Sequence, residues 1–237
     1  MQTNDFQPAE RVNRGLVSTF ERSVLTTLAD LLPNAVKPDH LTALGLGSLL
    51  AVGFSYWYAR YSAIGLWLVI LFLALNWFGD SLDGTLARFR GKQRPRYGFY
   101  VDHVLDACGS VFLFAGLALS GYMSERIAVG LLVAYFLVSI EVYLATYVVG
   151  RFHLSFAAFG PTELRLLLIA GNIALLRTPY AMIGGKQYLL FDVGGALGIA
   201  GMCVALVWSI VKHAGQLYKA ERVSQAYGAQ PFGPTGS

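Results

Sequence analysis

Six apolar stretches constrain this chain more than anything else in it. They run from about Leu41 to Tyr58, from Ile64 through Phe78 with a more polar continuation to Phe89, and from Gly98 to Leu119. The others run from Ile127 to Val149, from Leu164 to Leu176 and from Val193 to Val211. A membrane-spanning helix takes roughly 20 residues, so 237 residues suit one integral membrane domain of several helices. Composition agrees: 14% of residues are charged, 55% are hydrophobic, and the mean hydropathy is +0.53. A soluble domain carries about 25% charged residues, so too few charges remain here to cover a water-facing surface. The same values exclude a disordered chain, which needs low hydrophobicity and high net charge.

Ahead of the first stretch, Val12, Leu16, Phe20, Val24, Leu28 and Leu31 recur at helical spacing, with Arg11, Arg14, Glu21, Arg22 and Asp30 between them. That pattern predicts an amphipathic helix lying on the membrane surface, ended by Pro33 and Pro38. The expected fold is an all-α integral membrane protein: six transmembrane helices preceded by this N-terminal surface helix. Residues 1–38 form the N-terminal segment, 39–213 the six-helix domain and 214–237 a polar tail. The N-terminal residues show no short apolar core followed by a cleavage site, so no signal peptide is expected. Cys108 and Cys203 lie inside apolar stretches and offer neither a disulfide framework nor a zinc spacing.

The net charge is +4. The basic residues flank apolar stretches, which points to anionic lipid and not to nucleic acid. Six spans put both termini on one side. That side receives Arg11, Arg14, Arg22, Lys37, Arg88, Arg90, Lys92, Arg94, Arg96, Arg151, Lys212, Lys219 and Arg222. The other side receives Arg60, Arg126, Arg177 and Lys186. The first side is therefore predicted to be cytoplasmic in a multi-pass protein.

Four aspartates, Asp80, Asp83, Asp102 and Asp106, cluster at the cytoplasmic ends of the second and third stretches. Carboxylates at membrane depth are expensive and are kept where they face a cavity, a partner or an ion. Asp80 and Asp83 are i, i+3, and Asp102 and Asp106 are i, i+4, so each pair shares a helix face. A tight turn from Gly91 to Arg96 predicts that the two helices are antiparallel neighbours whose acidic faces meet. All-oxygen ligands of this kind suit Mg²⁺, Mn²⁺ or Ca²⁺ rather than zinc, and four carboxylates have oxygens enough for two ions. Gly84, Ala87 and Gly98 interleave with the acids, and Arg88 follows them. Such small residues serve either close helix packing or the approach of a bulky ligand. A metal pair beside an arginine is what a diphosphate needs.

Asp80, Asp83, Gly84, Ala87 and Arg88, followed by Gly98, Asp102 and Asp106, read D-x-x-D-G-x-x-A-R…G-x-x-x-D-x-x-x-D. This resembles the signature of the CDP-alcohol phosphotransferase (CDP-alcohol phosphatidyltransferase) family of membrane enzymes. Every signature position is filled, and the gap between Arg88 and Gly98 is one residue longer than the family's common spacing. The resemblance implies transfer of a phosphate-linked alcohol from a CDP-alcohol to an acceptor hydroxyl, with release of CMP, in phospholipid biosynthesis. One of the two substrates would be a lipid. It implies that Asp80, Asp83 and Asp102 ligate Mg²⁺ or Mn²⁺, with Asp106 completing the site and serving as candidate general base. It implies that Gly84, Ala87, Arg88 and Gly98 line the CDP pocket, and that the protein is a homodimer. Two other readings compete: a membrane prenyltransferase with metal-bound diphosphate, and a cation transporter with an aspartate-lined path.

Arg151 and Arg165, near the cytoplasmic side, are candidates to bind a phosphate on the acceptor, against surface anchoring or ion pairing. His103 is either a packing residue or a substrate contact. Glu141, mid-span, is expected to pair with Arg165 or a tyrosine. Thr42 lies in a segment resembling a family motif in which Asp39 replaces an asparagine. Trp57, Tyr58, Trp67, Trp77 and Tyr180 suit interfacial anchoring.

Overall fold

The computed structural model of the protein describes residues 10–12, 18–149, 151–153 and 161–226. Among these residues seven helices dominate: α1 (Ser18–Leu31), α2 (Pro38–Ala59), α3 (Ile64–Phe89), α4 (Pro95–Ser120), α5 (Glu125–Val149), α6 (Pro161–Leu175) and α7 (Leu190–Ala226). Proline opens α2 and α4 at their first helical positions, where its missing N–H leaves no bond unmade. Gly91, at φ +63°, turns the chain between α3 and α4.

Among the described residues five helices, α2, α3, α4, α5 and α7, are long and apolar enough to cross a membrane. The remaining predicted span is α6, a helix of 15 residues. At about 1.5 Å per residue it falls short of a ~30 Å hydrocarbon core. Two small strand pairs depart from the all-α expectation. β1 (Glu10–Val12) pairs in parallel with β2 (Arg151–His153). β3 (Tyr180–Ile183) and β4 (Lys186–Leu189) form an antiparallel hairpin. Gly184 and Gly185, both at positive φ, make the two-residue turn that matches strand twist.

α2 is the principal packing partner of both α3 and α4, α5 packs on α4 and α7, and α1 and α6 pack on α3. Glycines permit the close crossings. A Cβ on Gly79 of α3 would lie 2.6 Å from the Gly45 nitrogen and the Leu41 carbonyl oxygen of α2. Two turns further along α2, a Cβ on Gly53 would strike the Phe112 carbonyl of α4, and one on Gly116 would strike the Gly53 carbonyl. A core of Val52, Tyr56, Leu66, Val69, Leu73, Leu113 and Leu117 fills the space between these helices. Large apolar side chains such as Phe54, Trp67, Leu71, Val204 and Val211 point outward, as lipid contact requires.

The N-terminal helix differs in detail from its expectation. Its buried residues are Leu25 and Ala29, packed with Leu41, Leu82 and Leu86, whereas Leu31 is 72% exposed. α1 therefore seats one face on protein. The side chains from Val12 to Phe20 lie outside the described residues. Arg90 donates to the carbonyls of Leu32 and Pro33 at 3.0 Å, and to that of Val36. It thus closes the segment joining α1 to α2. Arg94 pairs with Asp39. At the other end, α7 runs unbroken past residue 213 to Ala226, and residues 227–237 lie outside the described residues.

The packing fixes one expected outcome. Gly79→Ala forces a methyl into α2 backbone and should destabilise the protein by about 1–3 kcal/mol, read as chemical unfolding in detergent. Gly47→Ala on α2, where no described residue comes within 4 Å of an added Cβ, should not. Equal stability of the two variants would contradict the close crossing.

Candidate active site

The four aspartates line one pocket. Asp80 and Asp83 enter from α3 and Asp102 and Asp106 from α4, joined by Asn76 and Leu105 and by Thr42, Gly45, Leu46 and Leu49 of α2. The acidic faces of α3 and α4 meet in this pocket, as the spacing predicted. The main packing partner of each helix is α2, which supplies part of the pocket wall. The space between them is large enough for an ion or a water.

Asp83 is 8% exposed. The Thr42 hydroxyl donates to its Oδ2 at 2.6 Å, and the Gly84 N–H donates to its Oδ1. Asp80 accepts from Arg165 Nη2 at 2.5 Å. Arg165 Nε donates to Asn76 Oδ1 at 2.7 Å, and Asn76 Nδ2 donates to the Gly45 carbonyl at 2.9 Å. A polar chain therefore runs from the α2 backbone through Asn76 and Arg165 to Asp80. As the side chains stand, no three carboxylate, imidazole or thiol groups among the described residues surround a common ion position. The donor chemistry nonetheless fits a hard divalent cation: four carboxylates from two helices wall one small pocket.

The glycines divide into two kinds. Gly45 and Gly79 serve helix packing: a Cβ on Gly45 would lie 3.2 Å from the Asp80 nitrogen. Among the described residues, a Cβ on Gly84 would meet Arg88 Nη1 at 3.5 Å and nothing closer, and one on Gly98 would meet nothing within 4 Å. No described helix fills these two positions. With Ala87 and Arg88 they lie outside the pocket wall, toward the turn between α3 and α4. Arg88 Nη2 donates to Thr85 Oγ1 at 3.1 Å.

Other expectations are redistributed. Arg165 reaches the acid pocket, while Arg151 sits in β2 with its side chain outside the described residues. Glu141 pairs with His213 Nδ1 at 2.7 Å, not with Arg165, because Arg165 is held at Asp80. The His103 ring lies 4.1 Å from Phe99 and 4.7 Å from Tyr143, centroid to centroid, as a packing residue does. Trp77 donates to Glu21 at 2.7 Å, so its indole N–H binds protein instead of the membrane interface. Sequence reasoning passed over Asn76. A buried amide one turn before Asp80 in an apolar helix was the signal, since such a group needs a polar partner.

The family profile described as CDP-alcohol phosphatidyltransferase matches residues 35–211. A phosphatidylinositol phosphate synthase of Cutibacterium acnes is 35% identical over 97 residues, 40% of this chain and 44% of that protein. An archaetidylinositol phosphate synthase of Pyrococcus horikoshii is 27% identical over 133 residues, 56% of this chain and 60% of that protein. The chain spans about half the length of the curated relatives it matches. The crystal structure of Mycobacterium tuberculosis phosphatidylinositol phosphate synthase with CDP-DAG bound has a similar fold. Its TM-score is 0.50 at 20% identity, covering 83% of this chain and 92% of that one. The profile match takes in α2 to α6, the first part of α7 and every residue of the acid pocket, and the chain belongs to the CDP-alcohol phosphatidyltransferase family.

Proposed function

We propose that this protein is a divalent-metal-dependent membrane enzyme that transfers a phosphate-linked alcohol from a CDP-alcohol to an acceptor hydroxyl and releases CMP, in phospholipid biosynthesis. The observation that carries the reading is the convergence of Asp80, Asp83, Asp102 and Asp106 from two helices on one pocket. These four would hold Mg²⁺ or Mn²⁺, with two ions as the natural occupancy. Bound there, the cations would draw charge from the diphosphate and make CMP a better leaving group.

The chain's own residues then have distinct tasks. Thr42 holds the Asp83 carboxylate in place. Among the described residues nothing crowds Gly84 or Gly98, which leaves room for the CDP moiety beside Ala87 and Arg88, where the guanidinium can make paired hydrogen bonds to phosphate. Asp106 takes the proton of the acceptor hydroxyl. The acceptor oxygen bonds to the β-phosphorus as the bond from that phosphorus to the CMP oxygen breaks. Positioning and electrostatics supply most of the acceleration.

The substrates are proposed from the relatives. CDP-DAG in the Mycobacterium tuberculosis structure supports CDP-diacylglycerol as donor. The names of the curated relatives support an inositol phosphate as acceptor. Arg165, already at the pocket, and Arg151 are the candidates to meet its phosphate. The same reading makes α6 a short sixth span and places both termini and the Arg88–Arg96 turn on the cytoplasmic side. It lays the outer face of α1 on the membrane surface and makes the protein a homodimer.

The test is CMP release by the purified protein in lipid with Mg²⁺, CDP-diacylglycerol and a panel of polar acceptors. CMP should form only with metal, and Asp83→Ala should abolish it while the protein still inserts. Normal turnover in Asp83→Ala would rule out the metal site. Asp106→Asn should lower turnover about 10²–10⁴-fold, the usual contribution of a base, and keep CDP-alcohol binding. Unchanged turnover would remove Asp106 from that role.

The glycine assignment has its own check. Gly98→Val should weaken CDP-alcohol binding severalfold and leave thermal stability at the wild-type value. A loss of stability with binding intact would make Gly98 a packing residue.

A further inference from the structure

One carboxylate outside the acid pocket gathers three donors. Glu21 Oε1, on α1, accepts from Trp77 Nε1 at 2.7 Å, from Thr162 Oγ1 at 2.7 Å and from Ser81 Oγ at 3.3 Å. Trp77 and Ser81 stand one turn apart on α3 and bracket Asp80 in sequence. Thr162 lies in the first turn of α6, three residues before Arg165 and on the same side of the helix. The buried residues of α6, Asn172 and Leu175, lie toward its other end. Its first turn is tied to α3 by polar links, Thr162 through Glu21 and Arg165 through Asp80 and Asn76. Hydrogen bonds to an ionised acceptor are roughly twice as strong as neutral ones, so these links decide where that turn sits.

We propose that Glu21 is a positioning residue for the acid pocket: by holding Thr162 it fixes the first turn of α6, and so fixes the Arg165 guanidinium on Asp80. The inference rests on the reading of the pocket as a divalent-cation site. Arg165 and a cation draw on the same carboxylate and repel each other. How firmly the guanidinium is held therefore sets how readily Asp80 accepts the ion. Through this contact α1, which lies outside the residues matched by the family profile, acts on the site.

The experiment is Mn²⁺ binding to the full chain in lipid nanodiscs, followed by the loss of free Mn²⁺ resonance during titration. Arg165→Gln should tighten Mn²⁺ binding severalfold. Thr162→Val, which removes the hydroxyl without changing charge, should move it in the same direction. The double variant should match Arg165→Gln alone, because Thr162 acts through Arg165. Trp77→Phe, which removes one of the two α3 donors that hold Glu21, should move Mn²⁺ binding in the same direction but less, and should add nothing to Arg165→Gln. A general destabilisation would instead add to the effect of Arg165→Gln. Thr162→Ala repeats the test if the valine variant does not fold. Wild-type Mn²⁺ binding that Thr162→Val leaves unchanged, or a Thr162→Val effect that persists with Arg165→Gln, overturns this proposal alone. No Mn²⁺ binding by the wild type overturns the cation reading and the proposal with it.

Discussion

Carboxylates at the end of an apolar bundle must have their charge answered on the spot, since water is scarce there and an unpaired buried charge is costly. The polar groups around the pocket meet that demand. Thr42 and the Gly84 N–H answer Asp83, and Arg165, steadied by Asn76, answers Asp80. Asp102 and Asp106 face the same space from α4. The arrangement gathers negative charge from two helices into a volume suited to a small cation, which is the physical basis of the proposed chemistry.

That gathering depends on α2. A helix with ordinary side chains at positions 45 and 53 would hold α3 and α4 further off. Gly45 and Gly53 on α2, answered by Gly79 and Gly116, let backbones approach until one added methyl would collide with a carbonyl or an amide. In a bilayer, where lipid tails are as apolar as leucine, such backbone contact is a main source of helix association. The same packing carries Thr42 and the Gly45 carbonyl into the site, so the element that spaces the acid helices also supplies polar groups to them.

Much of this was legible in the residues. Apolar length located α2 to α5 and the start of α7 to within a few positions but not the end of α7, which runs on to Ala226, and the spacing of Asp80, Asp83, Asp102 and Asp106 located the pocket. Periodicity could not tell that α2 is the shared neighbour of α3 and α4, because helix order in a bundle is set by which glycines meet, and the sequence offers many. On α1 it was right in part: Leu28 of the predicted stripe packs on the protein beside the buried Leu25 and Ala29, while Leu31 is exposed. The hairpin at Gly184 and Gly185 carried a turn signal that the search for spans passed over. Arg165 could be placed near the correct side of the membrane, but not on Asp80, because that pairing joins residues far apart in the chain.

The central claim is that carboxylates from α3 and α4 hold a common divalent cation. The most direct test is anomalous scattering from crystals of the protein grown in lipid with Mn²⁺ and CMP. The account predicts anomalous density in the pocket, bonded to carboxylate oxygens of both helices, with Arg165 displaced from Asp80. Density confined to residues of one helix, or lying away from the four aspartates, would contradict it.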